Sequence, residues 1–235
     1  MAVFSGLTIE LNDLEFRWPG QNVHCIHISR FTISTGERIF LYGPSGGGKS
    51  TLLSLLGGVA LPQQGTIRLL GTELTQLSNP QRNRFRADHI GFIFQQFNLI
   101  PWLSAVDNAL LSGTFSTLRR QRAGDMKKQA MHLFERLDLS PDLWDKPVFT
   151  LSVGQQQRVA AARALLGRPE IIIADEPTSS LDSPRQEAFI ELLLSEASAV
   201  NATLIFVSHD ERLAKHFDRK VALTDINRPL IDQKK

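Results

Sequence analysis

The segment Gly43-Pro44-Ser45-Gly46-Gly47-Gly48-Lys49-Ser50-Thr51 has the spacing GxxxxGK[ST] and follows directly on an apolar run, Arg38–Tyr42. Glycines let backbone N–H groups wrap a phosphate, and a helix starting at the end of such a loop adds its positive N-terminus. Lys49 would reach the β- and γ-phosphates of a nucleotide, and the Ser50 hydroxyl is a magnesium ligand. Asp175 and Glu176 end a second apolar run that starts at Ile171. There Asp175 is suited to hold magnesium, directly or through water, and Glu176 to orient and polarise a water attacking the γ-phosphate. A third segment, Leu151-Ser152-Val153-Gly154-Gln155, pairs Ser152 with Gln155 as a capping box that opens a helix running to Leu166. The same capped N-terminus with Gly154 is an anion site, and facing a neighbouring chain's nucleotide it would bind that γ-phosphate.

These groups need a scaffold that brings them together. Arg38–Tyr42, residues 171–174 and Thr203–Val207 are short, nearly continuous apolar runs, the pattern of strands buried on both faces of a parallel sheet. Polar residues follow each at once: the glycine loop, then Asp175 with Glu176, then Ser208 with His209. Open α/β sheets bind ligands beyond the carboxyl ends of their strands, so all three sets are expected at one rim. The about 125 residues between the first two runs are too many for one crossover and predict an insert. Residues 98–167 read as mostly helical, with Met131, Phe134 and Leu137 spaced along residues 126–139 and a second helix over 152–166, closed by Gly167 and Pro169. Leu7–Phe16 and residues 28–33 alternate as strands, residues 66–70 add a short one, and residues 112–125 read as the loosest segment. The expected class is α/β: a parallel-sheet core, a small antiparallel sheet and a helical insert.

Composition narrows the partners. Of 235 residues, 42% are hydrophobic and 21% charged, which excludes disordered, collagenous and coiled-coil classes. Lys plus Arg is 26 and Asp plus Glu 24, so nothing in the net charge of +2 asks for a nucleic acid. The most apolar stretch, residues 52–61, contains Ser54, Gly57 and Gly58 and stops at Pro62, far short of the ~20 residues of a membrane-spanning helix. No basic leader precedes Glu10, Asp13 and Glu15, so no secretory signal is expected. One cysteine, Cys25, cannot form an internal disulfide, which suits a reducing cytoplasm.

The order GPSGGGKST, FQQFNL, LSVGQQQRVAAARAL, IIIADEPTSSLD, VSHD resembles the ATP-binding-cassette ATPase family over essentially the whole chain. The resemblance implies a P-loop NTPase (RecA-like) α/β fold as one nucleotide-binding domain over residues 1–235. Its core would take in about 1–95 and 168–235, and its helical subdomain 96–167. It implies ATP and Mg2+. By the same resemblance Gln95 is the glutamine that contacts magnesium or the attacking water, with its neighbour Gln96 the alternative. Ser152, Gly154 and Gln155 would close over ATP held by the other subunit, Asp182 would lie at the dimer contact, and His209 would sit on the γ-phosphate. Trp18 is the aromatic placed to stack on adenine, with Phe16 the runner-up. Catalysis would fall to Glu176, His209, Gln95 and Lys49, and the metal to Ser50, Asp175 and Gln95.

With one phosphate loop and one signature per chain, the family completes each ATP site from two chains, so a homodimer is implied. A separate membrane permease is expected to dock near residues 97–103, an apolar and aromatic stretch, and the chain to lie peripherally at the cytoplasmic face of the inner membrane. Residues 90–111, with the length of chain after His209, are similar to the lipoprotein-release and macrolide-efflux group, which implies export or extraction of a substrate from the membrane or periplasm. A cell-division-type regulator of a membrane partner and the ATPase of a small-solute importer share these motifs and are the alternatives. Soluble DNA-repair and translation ATPases need a long coiled coil or tandem cassettes, and maltose-type importers add a C-terminal domain; none is visible.

One departure stands out: the family signature reads LSGGQ, and Val153 occupies the first glycine. A β-branched residue resists positive φ and a close phosphate, so slower turnover is expected. His24-Cys25-x-His27, without a second Cys/His group, is expected to be a strand or loop with exposed side chains rather than a metal site. Arg119, Arg120 and Arg122 are expected on a solvated loop rather than at lipid headgroups.

Overall fold

The computed structural model describes residues 6–21 and 23–228. In chain order it contains β1 (Leu7–Phe16), β2 (Ile26–Ser34), β3 (Arg38–Tyr42), α1 (Lys49–Leu56), β4 (Gln64–Leu69), β5 (Thr72–Glu73), α2 (Asn79–His89) and β6 (Ile90–Ile93). There follow α3 (Ala105–Phe115), α4 (Thr117–Ala123), α5 (Met126–Arg136), α6 (Val153–Leu165), β7 (Ile171–Asp175), α7 (Ser183–Ala199), β8 (Thr203–Val207), β9 (Arg219–Ala222) and α8 (Leu223–Ile226). An antiparallel sheet has the order β2-β1-β4-β5, and a sheet of order β6-β7-β8-β3-β9 has parallel neighbours throughout.

The three apolar runs are adjacent strands of the parallel sheet, and their alternation explains why they read as continuous. Ile39, Leu41, Ile171, Ile173, Ile205 and Val207 face a core shared with α1 and the antiparallel sheet. Phe40, Ile172, Ala174, Leu204 and Phe206 face a second core built by α3, α5, α6 and α7. Each strand is therefore buried on both faces along its middle, and the polar residues that follow it lie at its carboxyl end.

Two edge strands, β6 and β9, were not read from the sequence, although residues 90–93 carry an apolar run. Helix α2 carries its own signal: Ser78 and Gln81 form a capping box with Pro80 in the first turn. Residues 112–125 are not loose. They hold the end of α3 and all of α4, whose N-cap Ser116 is buried, accepts from the Arg119 N–H and donates to Asp88. Arg119 is buried too, and Arg122 is salt-bridged to Glu170, so of the three arginines only Arg120 is exposed to solvent. A run rich in arginine and serine reads as solvated, but here two of the guanidiniums find acceptors on β7's approach and on the end of α6.

Candidate functional site

Between β3 and α1 the glycine loop turns with Gly46 and Gly48 at φ +75° and +100°, values that only glycine adopts at little cost. Gly48 also passes so close to β2 that a Cβ would meet the Cys25 carbonyl at 3.1 Å. Lys49, the first residue of α1, is buried and arches back to donate to the Gly43 and Pro44 carbonyls at 2.9 and 3.0 Å. Ser50 and Thr51 occupy the first turn, and the Thr51 hydroxyl accepts from the Trp18 indole at 3.2 Å. Trp18 is 39% exposed and meets Phe16 edge-on, whereas Phe16 is 4% exposed in the core below it.

The strand order places the other two sets on the same rim. The Glu176 N–H donates to the Val207 carbonyl at the end of β8, and the Ser208 N–H to the Leu41 carbonyl at the end of β3. His209 Nε2 lies 2.7 Å from Glu176 Oε1, pairing the carboxylate with the imidazole. Glu176 itself has φ +45°, a left-handed geometry that a non-glycine residue holds only where its surroundings dictate it. Burial, aided by the Glu176 charge, raises the pKa of Asp175, while Lys49 and His209 oppose that rise. Asp175 and Ser50 line one cavity of about 720 Å3. The Ser50 hydroxyl and the Asp175 carboxylate are hard oxygen donors of the kind that suits magnesium.

Gln95 and Gln96 are both exposed just past β6, in a turn closed by the bonds Phe97 N–H to Phe94 O and Asn98 N–H to Gln96 O. Phe97 and Asn98 are left-handed at φ +58° and +49°, and Arg163 of α6 donates to both their carbonyls, at 2.5 and 2.6 Å. Arg163 escaped the sequence reading because these acceptors lie far away in the chain.

Ser152 caps α6 with the reciprocal Gln155 bond that its spacing predicts. Val153 is the first residue of that helix and is 48% exposed. Its φ is not positive, so the expected conformational conflict does not arise: the capping box already gives this position helical dihedrals that a β-branched residue tolerates. Gly154 packs on Leu181, and Asp182 caps α7 through the Arg185 N–H.

The stretch 97–103 is only partly outward. Phe97 is buried, while Trp102 is 77% exposed and meets Phe149 edge-on at 5.7 Å. A further apolar surface is the wall of the 720 Å3 cavity, formed by Val59, Phe92, Phe94, Leu111 and Phe115 beside Asn83 and Arg86. His24 and Cys25 are half-buried rather than exposed, and His27 on β2 lies 3.5 Å from Glu15 across the strand pair. Among the described residues no group of three His, Cys, Asp or Glu side chains is placed to hold a metal ion.

The family model of ABC transporters matches residues 26–179. The chain is 38% identical over 191 residues to the lipoprotein-releasing system ATP-binding protein LolD of Legionella pneumophila (strain Paris), covering 81% of this chain and 82% of that one. It is 38% identical over 241 residues to the probable syringafactin export ATP-binding/permease protein SyfD of Pseudomonas syringae pv. syringae (strain B728a), covering 96% of this chain and 36% of that longer protein. Its fold superposes, with a TM-score of 0.82 and 32% identity, on a dimeric post-hydrolysis structure of the ATP-binding cassette MJ0796 bound to ADP and Pi, covering 94% of this chain and 97% of that one.

Proposed function

Because the chain belongs to the ABC transporter family and is an ATPase that works with ATP and Mg2+, we propose that it powers a separate membrane permease of the lipoprotein-release and efflux type. The observation that carries the reading is the Glu176–His209 pair at 2.7 Å on the rim that also carries the glycine loop. The loop amides and Lys49 hold the β- and γ-phosphates, and Trp18 stacks on the adenine. Glu176 orients the water and takes up its proton as it attacks the γ-phosphate. His209 steadies that carboxylate and meets the γ-phosphate. Ser50, Asp175 and Gln95 hold magnesium, which when bound neutralises charge on the phosphate oxygens.

Two copies complete two sites. Ser152, Gly154 and Gln155 of one copy close over the nucleotide of the other, with Asp182 at the contact, so ATP joins the copies and hydrolysis releases them. Residues of the proposed helical subdomain, 96–167, such as Leu111 and Phe115, and residues of the core, such as Ser50 and Phe94, both line the apolar cavity. The permease docks there and at Trp102, which holds the chain at the cytoplasmic face of the inner membrane. Among the described residues no helix is long and apolar enough to cross a membrane, so on this reading the permease supplies the spanning helices. The relatives named for lipoprotein release and for export support the direction, out of the membrane or out of the cell.

The test is a detergent pull-down from native membranes with the Glu176→Gln chain, ATP and Mg2+, bound partners being identified by mass spectrometry. A membrane subunit with a large extracytoplasmic domain is expected. A partner that stimulates a wall hydrolase would replace transport with the cell-division reading, and recovery of no membrane protein despite ATP binding would reject the transporter reading.

A further inference from the structure

The turn that carries Glu176 is held by two side-chain amides, one buried and one half-buried, that the chemistry above does not use. Gln157, one turn into α6, is 1% exposed, and its Nε2 donates to the Pro177 carbonyl at 2.8 Å. Gln186, on α7, donates to the next carbonyl along, that of Thr178, at 3.1 Å. Successive carbonyls immediately after Glu176 are thus pinned from two different helices. Gly154 of α6 adds a looser contact: a Cβ there would stand 3.7 Å from Leu181 Cδ2, ordinary van der Waals distance. A left-handed Glu176 needs such support, since its own conformation does not favour the geometry.

On the two-copy reading above, both helices start in segments that face the second copy. Helix α6 opens at the Ser152 capping box and α7 at its cap Asp182. A shift of either helix, as its N-terminus seats against a second copy, therefore moves the backbone next to Glu176 through one side-chain hydrogen bond. We infer that Gln157 and Gln186 are positioning residues that set Glu176 for attack on the γ-phosphate and report to it the seating of the second copy. The inference rests on the reading of Glu176 and of the two-copy site given above.

Gln157→Met and Gln186→Met keep the side-chain length and remove the donor. Each purified full chain is compared with wild type and with Glu176→Gln for kcat and KM, for binding of a fluorescent ATP analogue, for thermal melting, and for oligomeric state by size exclusion with light scattering in ATP and Mg2+. Displacing a catalytic group by about 1 Å can cost two orders of magnitude. The expected result is a kcat about tenfold or more lower, nucleotide affinity within about twofold of wild type, and an ATP-bound dimer that persists as it does with Glu176→Gln. Wild-type turnover overturns the inference. So does a loss of rate accompanied by lost nucleotide affinity or a lost dimer, which marks a merely structural role. If Gln157→Met does not fold, Gln186→Met carries the same test from the other helix. Failure of the underlying reading shows separately, as a Glu176→Gln chain that hydrolyses ATP at the wild-type rate, and it takes this inference with it.

Discussion

Trp18 shows how much a single side chain can decide. Its ring is 39% exposed, its edge is fixed by Phe16 at 5.0 Å, and its N–H is fixed by the Thr51 hydroxyl at the start of α1. One broad aromatic surface is thereby held beside the glycine loop, while Phe16, 4% exposed, has no surface to offer a base. Stacking of a base on an aromatic ring is worth about 1–3 kcal/mol. Trp18→Ala is therefore expected to weaken ATP binding roughly tenfold in a fluorescent-nucleotide titration, and Trp18→Phe to retain most of the affinity; equal affinity in the alanine variant would assign adenine to another surface. The glycine loop was legible in the sequence because a conformational demand, positive φ and close backbone approach, is written there in residue types. Gln157 and Arg163 were not, because their roles depend on carbonyls 20 and 65 or 66 positions away. The conflict expected at Val153 was legible as a departure but misjudged, since the capping box fixes the dihedrals at that position and not the side chain.

At the scale of elements, the junction of α4 with α6 explains why residues 112–125 form ordered helix. Helix α6 ends at Leu165 with carbonyls that lack intrahelical donors. Arg119, 4% exposed, fills that role: Nε donates to Leu166 at 2.8 Å, and Nη2 to Ala164 at 2.5 Å and Arg163 at 3.3 Å. Burial, with the nearby Arg122 charge, lowers its pKa to about 10, so it stays protonated at neutral pH. Gly167 passes beside it at φ +80°, where a Cβ would sit 2.5 Å from the Arg119 Cβ. An ammonium cannot reproduce a planar fork aimed at several carbonyls. Arg119→Lys should therefore destabilise by about 2–3 kcal/mol through unsatisfied carbonyls, read as a fall in Tm of roughly 5–10 °C. An unchanged Tm would mean that α6 is capped without it. Strands β3, β7 and β8 were read correctly for the opposite reason: burial on both faces is a local pattern, whereas a tertiary cap is not.

At the scale of the whole molecule, two apolar surfaces stand out among the described residues. One is the cavity wall of Val59, Phe92, Phe94, Leu111 and Phe115; the other is the Trp102–Phe149 pair. Val59 and Phe115 are each 68% exposed and share the cavity wall, and Trp102 is 77% exposed beside Phe149. The cavity is also lined by Ser50 and Asp175, and its wall includes Phe94 next to Gln95. A helix of the permease seated there would therefore press on the glutamine turn, and Arg163 would pass that pressure to α6 through the Phe97 and Asn98 carbonyls. Docking and hydrolysis are coupled on this view by contact rather than by distance. Phe115 and Trp102 lie outside the nucleotide chemistry, so they separate the two functions. In a reconstituted complex, Phe115→Asp and Trp102→Ala are each expected to cut permease-stimulated ATP hydrolysis several-fold while basal hydrolysis by the purified chain is kept. Equal loss of both rates would remove the docking role of the residue concerned. Loss of stimulation with Phe115→Asp alone would confine the permease to the cavity and leave the Trp102–Phe149 pair outside the interface.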